Sequence, residues 1–492
     1  MTDYDATPSS TLGFATDDLA HRAGAARAVP AEVAPGPPGG TWWGAVTSPP
    51  PWQWHRPARQ GYGLGAIVLL GFGCAAAGGL YQPLGLVAIV LGACLAVLAP
   101  TGENRSASSL AWLAAVFIGA LSNRLALGIS GLESVVPVLA GIAACTILVV
   151  RRRWVRQAAV VATALLGLVP MFGNLVWGRA AIDVFNSAQL LTARLLAGGD
   201  PYSVLFRTTT PHLRYGHYFY GPAVLLLSIP GRLVGDIRVS NLLSTVVLVV
   251  CITLLARRHG GSEHGWRCLA LCLTLPFFPF MILQAWAEIY LLTAIALWLL
   301  LRDRHRWAAV AALGVGMATV PTALPLIVLP FLWWRRPRVE IVIAAVIGVA
   351  ICAPFAIWVG PSHFLSDTIG LQLRLPPRVD GLDLDAAWLR LTDTWLPFWL
   401  WPAVAGVTLA LLSRARPRSW AAALYLGSNI LVVAFLYAKW AFFNYYLLVA
   451  VGIIIAIALD GIAELAGRDP AADPVPVQSL GPPVAVPRAA AS

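Results

Sequence analysis

Between Gly61 and Asp460 the chain is a succession of apolar runs, most of them 16 to 22 residues long, with the charge gathered in short connectors between them. An α-helix needs about 20 apolar residues to cross a hydrocarbon layer roughly 30 Å thick. The runs are continuous, whereas a membrane barrel alternates apolar and polar residues over short strands, so helices are expected and a barrel is not. Composition agrees: 58% of the residues are hydrophobic and 12% are charged, against about 25% charged in a typical soluble domain.

The net charge of +11 would suit a nucleic-acid binder, but its placement does not. The arginines cluster between apolar runs, at Arg56/Arg59, Arg151–Arg153 with Arg156, Arg257/Arg258, Arg302/Arg304/Arg306, Arg335/Arg336/Arg338 and Arg414/Arg416/Arg418. The positive-inside rule assigns all of these to the cytoplasm. The spans that result are 62–80, 82–99, 107–123, 134–150, 157–178, 238–256, 266–281, 286–301, 307–319, 322–334, 339–359, 395–413, 419–437 and 441–459. The expected fold is an all-α polytopic membrane protein with about 14 transmembrane helices and both termini cytoplasmic. Membrane lipids are then its solvent, and nucleic acid is not a partner.

Residues 1–60 are rich in Ala, Pro, Gly and Ser and hold no apolar run. They read as a disordered cytoplasmic tail rather than a signal peptide, ending in Trp52 and Trp54 as interfacial anchors. Residues 61–150 form a first group of transmembrane helices and 151–460 a core. Residues 461–492 are again a Pro/Ala-rich tail. Two long extracytoplasmic loops, 179–238 and 360–394, carry the polar residues of the core, and loops of that size are usually functional. Residues 221–235 are apolar enough to cross. A crossing there would invert every later basic cluster, so they are expected to stay on the outer side as an interfacial or re-entrant helix. The seven cysteines all fall within predicted spans and read as small apolar residues.

The first loop opens with Asp183 and an amphipathic stretch over 186–197, which Gly198-Gly199 ends and Asp200-Pro201 turns. Asp183 sits where a span meets the outer interface, either as a helix N-cap or as a carboxylate with chemistry to do. Glu288 is an acid among apolar neighbours, a functional hypothesis by default, with capping beside Gln284 as its alternative. Lys439 is the single lysine of an arginine-rich chain, and a snorkelling anchor is the alternative to a point charge for an anion. Asp383-Leu384-Asp385, close to Asp380, reads as a solvated acidic loop. No metal and no cofactor are therefore expected.

Taken together, several elements resemble the GT-C-type glycosyltransferases, and more narrowly the actinobacterial polyprenyl-phosphate-mannose-dependent mannosyltransferases. They are the border acid Asp183, Gly198-Gly199-Asp200-Pro201-Tyr202, Tyr218-Phe219-Tyr220-Gly221-Pro222, Gln284-Ala285-Trp286-Ala287-Glu288, and Lys439 followed by Asn444-Tyr445-Tyr446. The resemblance spans about residues 157–460. It departs from the family at Gly221, where a second proline is usual, and at Thr319-Val320-Pro321, where a basic residue is common. It implies an inverting transfer of a sugar, mannose in that family, from a polyprenyl-phosphate donor to an extracytoplasmic glycolipid or glycan, with Asp183 as general base. Lys439, Arg374 and Arg378 would then stabilise the leaving phosphate. Glu288, Gln284, Tyr202, His217, Tyr220, Asn444 and Tyr445 would line the substrate cleft.

Two other readings share the topology. A lipid-linked-glycan flippase or transporter would show midplane charges or paired halves, and neither is evident. A polymerase or ligase using a polyprenyl-diphosphate glycan would place more arginine in the outer loops to hold a diphosphate.

Overall fold

The structure, a computed structural model, describes residues 58–76, 81–101, 107–126, 135–177, 183–207, 215–320, 338–371, 378–397, 399–413, 419–438 and 441–461. Residues 1–57 and 462–492 of the expected tails, the expected span 322–334, Arg374 and Lys439 lie outside them. The described chain is all-α apart from one two-residue antiparallel pairing, β1 (Phe206–Arg207) with β2 (Tyr215–Gly216).

The helices are α1 Arg59–Ala76, α2 Pro83–Leu98, α3 Ser109–Ala126, α4 Val135–Val149, α5 Arg153–Trp177, α6 Asp183–Leu196, α7 Pro222–Leu233, α8 Arg238–Thr274 and α9 Phe277–Gln284. They continue with α10 Glu288–Leu301, α11 Arg306–Met317, α12 Arg338–Val359, α13 Pro361–Leu365, α14 Leu384–Thr392, α15 Leu400–Ser413, α16 Trp420–Leu436 and α17 Phe443–Leu459. Among them, α8 and α12 are long and apolar enough to cross a membrane, and several others are shorter apolar helices.

The 37 residues of α8 are not one rod. Gly261 has φ 78° and ψ −174°, outside the helical region, and the chain reverses there. A Cβ on Gly265 would lie 3.3 Å from the Thr253 carbonyl oxygen, whereas residues 12 apart in a straight helix are separated by about 18 Å. Thr245 and Cys272 likewise line one cleft. The two arms are the expected spans 238–256 and 266–281, with one correction. The second arm stops at Thr274, because Leu275 precedes Pro276 and takes an extended conformation (ψ 138°), as a residue before proline is biased to do.

Ion pairs gather the connector arginines at one end of the bundle, whereas Arg238 and Arg378 pair with Asp236 and Asp380 at the other. Arg59 at the start of α1 pairs with Asp460 at the end of α17 (3.6 Å), and Arg156 of α5 pairs with Glu263 in the α8 turn (2.6 Å). Arg258 pairs with Asp303 (2.8 Å), and Arg306 with Glu340 (3.2 Å). Arg302 stacks over the Trp420 ring at 3.7 Å. At the opposite end, α7 runs across the helix termini. Gly221 at its start donates to the Thr319 carbonyl (2.7 Å) just beyond α11, and Gly231 near its end donates to Ser240 Oγ (2.8 Å) at the start of α8. Between these, Ser228 meets Tyr290 in the first turn of α10 (3.3 Å).

The outward faces are apolar. On α12, Val339, Val342, Val346 and Val349 are each about 60% exposed or more and follow one another at i, i+3, i+7 and i+10, one stripe of a helix. Water does not tolerate such a face repeated over several helices, and hydrocarbon does. The inside is α17, whose residues from Tyr446 to Leu459 are all buried.

Gly221 generates a stability prediction. A Cβ there would overlap the Ala318 carbonyl, against backbone that has no side-chain freedom to retreat. Gly221→Ala is expected to lower the thermal unfolding midpoint in detergent, at a cost of about 1–3 kcal/mol as for overpacking. Gly406→Ala, facing open space on α15, is expected to leave it unchanged or slightly raised. Equal melting of Gly221→Ala and wild type would contradict the close approach of α7 to α11.

Candidate functional site

At the end of the bundle opposite the arginines, several helix N-termini converge. Helix α9 ends with Ala285 in the left-handed region (φ 54°, ψ 41°), which lets the Trp286 N–H reach back to the Met281 carbonyl (3.1 Å). The chain reverses there and enters α10 at Glu288, whose carboxylate lands beside the first residues of α17. Asn444 Nδ2 donates to Glu288 Oε1 at 2.6 Å. Phe443 stacks on Phe280 (4.6 Å) and packs on Trp286 (5.3 Å), closing the apolar side of the reversal. Asn241 of α8 fixes the turn by donating to the Trp286 carbonyl (2.9 Å), and accepts from the Tyr290 hydroxyl (3.0 Å).

Glu288 is 2% exposed and Gln284 8%. Among the described residues, Glu288 Oε2 and Gln284 Oε1 have no hydrogen-bond partner. Buried polar atoms are nearly always satisfied, so two acceptors left open on one short hairpin are free to take donors from water or from a ligand.

Asp183 is the first residue of α6 and reaches the same group through Tyr220. Burial pushes the Tyr220 phenol well above its usual range, and the charges of Glu288 and, more weakly, Asp183 add to that. Tyr220 is thus within electrostatic range of both acids. Tyr445 is similarly within range of Glu288 and Arg378. Tyr202 is completely buried and donates to the Tyr220 carbonyl at 2.9 Å, while its ring packs on Phe364 (5.0 Å) and Tyr218 (5.7 Å). The preceding Asp200 is a turn residue, its Oδ1 accepting the Tyr202 N–H (2.9 Å).

Other expected residues are placed differently. His217 groups with His363 and Asp367, Nδ1 lying 3.6 Å from Asp367 Oδ2. His363 and Asp367 went unnoticed in the sequence, although their i, i+4 spacing puts them on one helical face. Arg378 is held by Asp380 through two hydrogen bonds (2.8 and 2.6 Å) and lies over the Phe442 ring at 4.5 Å, so its charge is already matched within the chain. Burial alone would raise the Asp380 carboxyl, but those bonds hold it below the usual carboxylate range. Arg374 and Lys439 lie outside the described residues.

The acidic stretch 380–385 is not a solvated loop. Asp383 is fully buried and caps α14: Oδ1 accepts from Ala386 N–H (2.8 Å) and Oδ2 from Ala441 N–H (3.1 Å). Leu382 joins the same seam, donating to the Ala441 carbonyl (2.6 Å) and accepting from the Tyr446 hydroxyl (2.6 Å). Asp385 accepts from Leu396 N–H (2.8 Å). The physical reason for the correction is that these carboxylates substitute for water as partners of backbone donors in two packed segments. The second loop is thereby pinned to the start of α17, beside Glu288.

What this end offers chemically is a half-exposed acid at a helix start, a buried acid with one open oxygen, amide groups and a wall of aromatics. That set can take a proton from a hydroxyl and hold a polyol. Compared with known protein families, known proteins and solved structures, the chain has no match.

Asp383 yields a pH prediction. Burial pushes its carboxyl up to about 7, against the lowering effect of its N–H donors. The folded state therefore holds a proton that the unfolded chain releases near pH 4. Stability from this group is fully present below the unfolded value and is lost as pH rises through about 7. The melting temperature of wild type is expected to fall relative to Asp383→Asn across that window. Parallel melting curves from pH 4 to 8 would refute it.

Proposed function

We propose that this chain is a polytopic membrane glycosyltransferase, moving a sugar, mannose by resemblance, from a polyprenyl-phosphate donor to an extracytoplasmic glycolipid or glycan. The observation that carries the reading is the Asn444–Glu288 bond beside the open Gln284 amide, with Tyr220 in electrostatic range of both Glu288 and Asp183, at the end of the bundle opposite the connector arginines. Under the positive-inside rule the arginine end is cytoplasmic and this site faces outward. Helices α1–α5, the two arms of α8, α10–α12, α15–α17 and the span 322–334 make the fourteen crossings of that topology. Helix α7 stays at the outer interface.

In the reaction, an acceptor hydroxyl attacks the anomeric carbon from the face opposite the phosphate. Asp183 takes the hydroxyl proton, the bond from the anomeric carbon to the phosphate oxygen breaks, and polyprenyl phosphate leaves as an anion. A positioned base is worth typically 10²–10⁴-fold. The leaving group needs charge stabilisation rather than a proton. Lys439, two residues before the pinned Ala441, is the cation assigned to it, since Arg378 is matched by Asp380. Glu288, Gln284 and Asn444 hold sugar hydroxyls. The apolar cleft between α5, α8 and α9, lined by Ala164, Leu242, Val246, Phe278 and Ile282, suits a prenyl chain one turn below Asn241.

The test is transfer from radiolabelled polyprenyl-phosphate-mannose in membranes expressing wild type or Asp183→Asn at matched protein levels. Transfer by wild type with a loss of roughly 10²-fold or more in the variant is expected. An equally active variant removes Asp183 from the mechanism, and absence of transfer by wild type removes this donor.

A further inference from the structure

We propose that His217, His363 and Asp367 form a binding site for a divalent transition-metal ion, Zn²⁺ by its donor set, which ties two extramembrane segments together. His363 belongs to α13, and Asp367 follows one turn later in a π-helical segment, Ser366–Gly370. Such widened turns recur at functional sites. His217 comes from the other outer segment, just before Tyr218. Asp367 Oδ2 lies 3.1 Å from His363 Nε2 and 3.6 Å from His217 Nδ1, and all three atoms fall within 4.8 Å of one another. Around a tetrahedral Zn²⁺ with bonds of about 2.0–2.1 Å, neighbouring donor atoms stand roughly 3.3–3.4 Å apart. The two separations from Asp367 bracket that value, and the two ring nitrogens lie within 4.8 Å of each other.

A second observation argues against a plain hydrogen-bonded cluster. Asp367 Oδ2 is buried and accepts no hydrogen bond, despite the two ring nitrogens beside it. His217 Nδ1 stands 3.4 Å from the Tyr202 carbonyl, a contact that only the Nδ1–H tautomer makes; metal binding takes the other tautomer, with the proton on Nε2 and the Nδ1 lone pair on the ion. Three potential ligand atoms within 4.8 Å of one another, one of them a buried carboxylate oxygen with no hydrogen bond of its own, is an arrangement that a shared cation accounts for. Two imidazoles and a carboxylate suit Zn²⁺, whereas Mg²⁺ and Ca²⁺ take oxygen ligands. His363 is about half exposed, which gives the ion a route in and leaves a coordination position for water.

The ion would act as a clamp. His217 leads directly into Tyr218-Phe219-Tyr220, and Phe364 beside His363 packs on Tyr202, which holds the Tyr220 carbonyl. Fixing His217 to His363 and Asp367 therefore fixes the segment that presents Tyr220 to Asp183 and Glu288. The inference does not depend on glycosyl transfer, and its test measures metal alone.

The full-length protein, purified in detergent through a histidine-free tag, is stripped with a chelator, re-equilibrated with Zn²⁺ and desalted, and its zinc content is measured. Wild type is expected to retain about one equivalent. His363→Ala and Asp367→Asn should fall to background while eluting as monodisperse protein. His305→Ala, an exposed histidine outside the cluster, should bind as wild type does. Co²⁺ in place of Zn²⁺ should give the intense visible absorption of a four-coordinate site in wild type alone. Wild type at background zinc, or His363→Ala and Asp367→Asn binding as wild type does, overturns the proposal. Because the first of these needs no variant, misfolding of a variant does not rescue it.

Discussion

The rest of the structure is arranged around α17. From Tyr446 to Leu459 it is buried on every face, which an α-helix tolerates only if its neighbours are apolar all round and its own backbone bonds are complete. The polar contacts of this region therefore fall at its ends. At one, Asn444 bonds Glu288 and Ala441 bonds Asp383. At the other, the Ile457 carbonyl meets the His264 ring at 2.9 Å and Asp460 meets Arg59. The helix couples the two polar ends of the bundle while contributing only packing between them.

That division also explains why the glycines matter where they do. Gly260 and Gly461 bring the α8 turn against the end of α17 so closely that a Cβ on Gly461 would lie 2.6 Å from the Gly260 backbone. Gly221 does the same for α7 and α11 at the other end. Close backbone approach at both ends holds helices whose lateral contacts, being purely apolar, specify position less sharply than hydrogen bonds do. The polar ends then supply register.

What was legible in the sequence follows from range. Helix existence, the reversal between Arg257 and Trp266, and the turn at Asp200 rest on local signals: apolar run length, the basic pair Arg257/Arg258, and an Asp before a proline. The placement of Asp183, Tyr220 and Glu288 at one end followed from alternating the helices and keeping 221–235 out of the count. Asn444 with Glu288, separated by 156 positions, carried no local signal for their contact. Asp383 was misread because an acid in a polar stretch looks solvated, and only the packing of Ala441 against it, 58 positions away, makes it a buried cap. His217 with His363 and Asp367 failed for the same reason, since one residue of the cluster lies in the first loop and two in the second.

The buried acid at position 288 shows how far the chain itself goes toward satisfying its site. Taking a carboxylate out of water costs several kcal/mol even after relaxation. Its place at the first residue of α10 returns about 0.3–1 kcal/mol from the helix dipole, up to ~2 in a buried setting. A hydrogen bond to a charged group adds roughly 1.5–3 kcal/mol, and Asn444 supplies one of these to Oε1. Those contributions offset most of the desolvation while Oε2 stays open. A fully apolar residue at this position would be more stable by that reckoning, and a second donor from the protein would close the account. Neither is present among the described residues, so Oε2 stays an acceptor open to a donor from water or a ligand. The same holds for Gln284 Oε1, one turn of chain away. Both open acceptors flank the left-handed Ala285. Under the proposed transfer, two open acceptors suit the hydroxyls of a polyol, and the charge of the leaving phosphate is assigned elsewhere, to Lys439.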